Sequence, residues 1–120
     1  MNQDKIKAAA AALRQARATR VAIPRISEQF GIQGADEAYA VARCNTMLDL
    51  AEGRRVVGKK IGLTSQAVQQ QLGVGQPDYG VLFADMEFLS GSEVPASRLI
   101  QPKAEGEIAF VVGRDLDGES

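Results

Sequence analysis

The chain has 120 residues, 45% of them apolar, and a formal net charge of −1, enough apolar material for a globular unit that buries roughly two thirds of its unfolded surface. Its 14 basic and 15 acidic residues are scattered along the sequence, and without a basic stripe to follow a phosphate backbone nucleic acid is not an expected partner. Histidine is absent, which excludes a Ser-His-Asp triad, a Cys-His pair and a histidine-ligated zinc site within this segment and leaves carboxylate and lysine chemistry.

The alanine-rich N-terminal run is preceded by Asp4, Lys5 and Lys7 and interrupted by Arg14 and Arg17, so it does not form a signal-peptide core. No window approaches the ~18 uninterrupted apolar residues of a membrane span. Cys44 is the single cysteine and cannot form an internal disulfide, which fits a reducing cytoplasm. A cytoplasmic protein is the expectation.

From Lys5 to about Thr19, Ile6, Ala9, Ala10, Leu13 and Ala16 recur at three-to-four spacing and predict an amphipathic helix. Val21 to Ile32, broken by Pro24 and Gly31, reads as an irregular connection. A second helix is expected from near Asp36, with Ala38, Val41, Cys44, Leu48 and Ala51 on its buried stripe and Gly53 as its stop.

After Gly53 the pattern changes. Val56 to Leu63 is β-branched and glycine-punctuated and predicts a strand. Thr64 or Ser65 can cap a short helix that runs to about Leu72 and ends at Gly73. A loop over Gly75 to Gly80 follows, then a short apolar run from Gly80 to Ala84 and a turn at Ser90-Gly91-Ser92. Ala104 to Gly113 alternates as a strand does. Asp115 to Ser120 reads as a turn leading onward, so the chain is expected to stop in mid-fold. The fold class expected is α+β: a helical region over residues 1–54, then the first part of a β-rich domain over 55–120.

Three features could carry chemistry. Glu105 and Glu107 lie two apart in the last expected strand, which puts both carboxylates on one face about 6.8 Å apart along the backbone. Oxygen-only ligation of this kind suits Mg²⁺ or Mn²⁺, although the same pair also describes an exposed strand with two solvated glutamates. Lys60, in Gly58-Lys59-Lys60-Ile61-Gly62, can face a cavity where backbone or ligand comes close, or it can be a solvated lysine on an edge strand. Asp78, between Pro77 and Tyr79-Gly80, is either ordinary turn chemistry or an acid or base at a site mouth. Gly53 to Lys60 approaches a phosphate-binding loop sequence, but it lacks the final Ser or Thr and runs from helix to strand, so nucleotide binding is rejected.

Read together, Gly53-Arg54-Arg55-Val56-Val57-Gly58-Lys59-Lys60-Ile61-Gly62-Leu63-Thr64-Ser65, Val68 to Val74, Gln76-Pro77-Asp78-Tyr79-Gly80-Val81-Leu82-Phe83-Ala84-Asp85-Met86 and Gln101-Pro102-Lys103-Ala104-Glu105-Gly106-Glu107-Ile108-Ala109-Phe110-Val111 resemble the 2-keto-4-pentenoate hydratase family of the fumarylacetoacetate hydrolase superfamily. The resemblance implies a catabolic hydratase that converts 2-hydroxypenta-2,4-dienoate to 4-hydroxy-2-oxopentanoate in aromatic-ring degradation. It implies metal ligation by Glu105 and Glu107 with Mg²⁺ or Mn²⁺, catalytic roles for Lys60 and Asp78, a small 2-hydroxydienoate or 2-oxo acid substrate, and a homo-oligomer. Gly106 stands where alanine is more common in that family. Members run to about twice this length and supply a third acidic ligand downstream, so the expectation is an N-terminal half that stops before the enzyme is complete. Three alternatives stand beside it: a 2-oxo-3-hexenedioate (4-oxalocrotonate) decarboxylase of the same superfamily, a C–C bond hydrolase or isomerase of that superfamily, and a non-catalytic assembly module using the helical stripe around Val41 and Leu48.

Overall fold

A computed structural model describes residues 2–117. Helix α1 spans Gln3–Thr19 and begins earlier than its periodicity suggests, because the Asn2 side chain accepts hydrogen bonds from the Asp4 and Lys5 amides at 3.0 and 3.3 Å and so satisfies two of the free donors of the first turn. Arg20 ends it in the left-handed conformation. The connection that follows is irregular as expected, apart from one helical turn, α2, at Ile26–Gln29.

Helix α3 spans Gly34–Ala51 and lies parallel to α1. Lys5 pairs with Glu37 at 2.9 Å, Arg14 Nη1 donates to Asn45 Oδ1 at 2.7 Å, and Arg17 pairs with Asp49 at 2.9 Å, partners that advance together along both helices. This corrects the expected apolar stripe. The face of α3 toward α1 runs through Glu37, Val41, Asn45 and Asp49, each four residues on from the last, as one helical face requires. Val41 and Asp49 are buried and Cys44 is partly so, whereas Leu48 is 40% exposed. Ile6, Ala9, Ala10, Ile32 and Val41 form the apolar core, with Ile26, Phe30, Ala40 and Cys44 packed against it.

Strand β1, Val56–Gly62, pairs antiparallel with β2, Asp78–Phe83, with Gly62 opposite Asp78, Lys60 opposite Gly80 and Val56 opposite Phe83. Between them α4, Gln66–Leu72, is capped by the Ser65 side chain and closed by Gly73 at φ 73°, as its sequence predicts. Among the described residues the architecture is α+β, four α-helices with one two-stranded sheet.

The expected strand over 104–113 does not form. Alternation sets the sidedness of side chains, but a strand exists through ladder hydrogen bonds to a neighbour, and among the described residues β1 and β2 pair only with each other. Ile108, Phe110 and Val111 are accordingly 88%, 90% and 97% exposed. The turn expected over 115–120 lies partly outside the described residues. Among the described residues no helix is long and apolar enough to cross a membrane.

Arg54 joins the helices to the hairpin. Its guanidinium reaches Asp49 on α3 at 3.1 Å, takes both oxygens of Asp85 at 2.6 and 2.7 Å, and lies 4.1 Å over the Phe83 ring. Burial pushes the Asp49 carboxyl up, but the hydrogen bonds and charges of Arg17 and Arg54 outweigh it and leave the group below its ordinary value. Asp85 is held low by its hydrogen bonds from Arg54, and Glu37 by the Gln33 amide and then Lys5. All three bind a proton less readily folded than unfolded. Their contribution is therefore complete above the ordinary carboxylate range, at roughly pH 4, and is lost as pH falls through the lower folded values. A pH series of thermal unfolding is expected to show a level midpoint from about pH 7 to 5 and a decline below about pH 4.

Candidate active site

The hairpin register brings two of the expected site residues onto one face. Side chains alternate along a strand, so Lys60 and Gly62 on β1 share a face with Asp78 and Gly80 on β2, while Lys59, Ile61, Tyr79 and Val81 take the other. The first face lines a cavity of about 210 Å³ formed by Lys60, Gly62, Asp78, Tyr79 and Gly80. From the opposite face Tyr79 reaches α3. The Tyr79 and Tyr39 rings stack with centroids 4.5 Å apart, and the Tyr79 amide donates to the Tyr39 hydroxyl at 3.3 Å.

Lys60 Nζ lies 3.9 Å from Glu107 Oε1, both side chains about half exposed. The segment that carries the Glu105-Gly106-Glu107 pattern thus lies against the face that carries Lys60, although no ladder fixes it there. Glu105 makes no ion pair or side-chain hydrogen bond among the described residues. Nor do the described residues gather three acidic, cysteine or histidine side chains into a cluster that could hold a metal ion. Glu105 and Glu107 are hard oxygen donors of the class that Mg²⁺ or Mn²⁺ takes, so their chemistry fits such an ion.

Sequence reasoning passed over Tyr39 and Gly62. Tyr39 is a polar-capped aromatic on a helix facing a strand aromatic, a contact with no local signature. Gly62 was read only as strand punctuation, although a glycine directly across a ladder from an acid leaves room for the carboxyl.

No family model matches the chain. Among solved structures it is similar to 4-oxalocrotonate decarboxylase from Pseudomonas putida G7 complexed with calcium and acetate, at TM-score 0.78 and 30% identity over 83% of this chain and 39% of that one. The magnesium and adipate complex of the same enzyme matches at TM-score 0.64, over 69% of this chain and 32% of that one. The helices and hairpin are therefore part of a fumarylacetoacetate-hydrolase-like α+β fold.

Within that fold the sequence is that of a homologue of the 2-keto-4-pentenoate hydratases. The chain is 56% identical over 113 residues to 2-keto-4-pentenoate hydratase 1 of Dechloromonas aromatica, covering 94% of this chain and 43% of that protein. It is 51% identical over 111 residues to 2-keto-4-pentenoate hydratase of Paraburkholderia xenovorans, covering 92% and 41%. The chain spans about two fifths of the length of the curated relatives it matches.

Proposed function

We propose that this chain carries part of the active site of a hydratase that adds water to 2-hydroxypenta-2,4-dienoate, giving 4-hydroxy-2-oxopentanoate in aromatic catabolism. The observation that carries the reading is the convergence of Lys60, Asp78 and Glu107 about one face of the hairpin, with Lys60 Nζ 3.9 Å from Glu107, in a chain 56% identical to a named hydratase. Lys60 and Asp78 are the proposed catalytic groups, and Glu105 and Glu107 the residues that would hold Mg²⁺ or Mn²⁺.

When held by Glu105 and Glu107, such a dication would supply electrostatic stabilisation of the negative charge that develops on the 2-oxygen of the substrate. Lys60 places a positive charge where the anionic substrate enters and, with Asp78, is suited to moving protons. The dienol loses its hydroxyl proton and gains one at the terminal carbon, giving an α,β-unsaturated ketone. Water then adds at carbon four and a proton at carbon three, so that one water is consumed overall. A small-molecule partner, a homo-oligomer and no role for nucleic acid complete the reading.

The test is loss of dienol absorbance, measured with freshly generated substrate and Mg²⁺ or Mn²⁺, on this chain and on a hybrid in which it replaces the matching segment of the Dechloromonas aromatica hydratase 1. The hybrid is expected to turn over and to stop with chelator. An inactive hybrid that folds and assembles as the parent does would sink the proposal. The structural likeness to a decarboxylase favours a second reading, decarboxylation of 2-oxo-3-hexenedioate, in which the same residues serve but CO₂ is released. The higher identity to the hydratases ranks it second, and product analysis separates the two.

A further inference from the structure

Asp78 and Gly62 face each other across the β1–β2 ladder, and the Asp78 carboxyl occupies the space a side chain at position 62 would fill. A Cβ built on Gly62 would overlap Asp78 Oδ1, with Cγ at 3.4 Å and Oδ2 at 3.8 Å. The other glycines of the hairpin differ: a Cβ on Gly58 would make ordinary contact with Leu82 Cδ1 at 3.9 Å, and one on Gly80 would meet nothing within 4 Å. Gly62 is not among the glycines with positive φ, so what position 62 requires is space and not a special torsion.

Nothing else among the described residues holds that carboxyl, since Asp78 makes no ion pair or side-chain hydrogen bond there. Its backbone is anchored through its neighbour Tyr79, by the stack on Tyr39 and the amide-to-hydroxyl hydrogen bond. With the backbone fixed from the helical side, a side chain at 62 would compete with the carboxyl for the space of the staggered well it occupies.

We propose that Gly62 is a positioning residue: by leaving its side-chain volume empty it lets the Asp78 carboxyl lie over β1, in the cavity it shares with Lys60. This rests on the reading of Lys60 and Asp78 as catalytic groups. An alanine at 62 turns the carboxyl out of that cavity through one side-chain rotation and leaves the ladder intact. A displacement of an ångström or more at a reacting group costs on the order of a hundredfold in rate.

The experiment compares Gly62→Ala, Asp78→Asn, the double variant and Gly58→Ala in the hybrid hydratase, measuring kcat, KM and thermal midpoint. Gly62→Ala is expected to lower kcat about a hundredfold with KM and midpoint little changed. The double variant should be no slower than Asp78→Asn alone, since one group cannot be lost twice, and Gly58→Ala should stay within about twofold of the parent. If Asp78→Asn is slow but Gly62→Ala matches the parent, the positioning role is wrong and the catalytic reading of Asp78 stands. If Asp78→Asn is itself fully active, that reading fails and takes the inference with it. A double variant slowed by the product of the single effects, or a Gly62→Ala protein that does not fold, assigns Gly62 a separate structural role and overturns the proposal.

Discussion

The hybrid hydratase carrying Lys60→Met is expected to turn over at least about a hundredfold more slowly than its parent, the range in which a positioned acid or base contributes. The same change should leave the thermal midpoint within about two degrees, because a half-exposed ion pair such as Lys60–Glu107 at 3.9 Å contributes under about 1 kcal/mol. Rate and stability therefore move apart if Lys60 acts on substrate. They move together, by small amounts, if the pair is only a surface contact. Lys60→Arg separates two roles within the first outcome: arginine keeps the positive charge but does not release its proton near neutral pH. Full recovery by arginine would assign Lys60 to anion binding alone, and no recovery would favour proton transfer.

The second large effect is on stability. Asp49→Ala is expected to cost about 3 kcal/mol, a drop of roughly ten degrees in the midpoint for a chain of this size, measured by thermal unfolding monitored through far-ultraviolet circular dichroism. Asp49 is 3% exposed and receives Arg17 from α1 and Arg54 from the head of β1. Removing it leaves two guanidiniums, Arg17 and the largely enclosed Arg54 beside Phe83, with one carboxylate, Asp85, which Arg54 already holds. Arg17→Met should cost only about 1 kcal/mol, because the Arg17 side chain is already half in water. Equal losses from the two variants would mean that the site acts as a simple surface pair and would remove the argument from burial.

Much of this arrangement was legible from residue spacing. The three-to-four recurrence of Ile6, Ala9, Ala10, Leu13 and Ala16 found the buried face of α1 at every position but Leu13, which is 36% exposed, and Ser65 and Gly73 marked the ends of α4. Hydropathy misplaced the buried stripe of α3 because its contact face is largely polar: Glu37, Asn45 and Asp49 are satisfied by partners about thirty residues earlier, and no local pattern records that. The segment around Ile108 and Phe110 has a strand's alternation, yet hydrogen-bonded pairing is a property of two segments, and among the described residues no second segment pairs with it. Lys60 announced itself through its flanking glycines. Asp78 had a turn's context, and only the register of Gly62 with Asp78 and Lys60 with Gly80 puts the two on one face, a fact that belongs to neither strand alone.

The Tyr39–Tyr79 stack has a spectroscopic consequence. The chain has two tyrosines and no tryptophan, and these two rings lie 4.5 Å apart across the contact between α3 and β2. Near-ultraviolet absorption and intrinsic emission therefore report almost entirely on one interface, the docking of the helices onto the hairpin, while the far-ultraviolet signal is dominated by the helices. The protein carries its own two-channel probe: coincidence of the two signals on heating marks helices and hairpin as one cooperative unit, and an earlier loss of the tyrosine signal marks the hairpin as the part that leaves first.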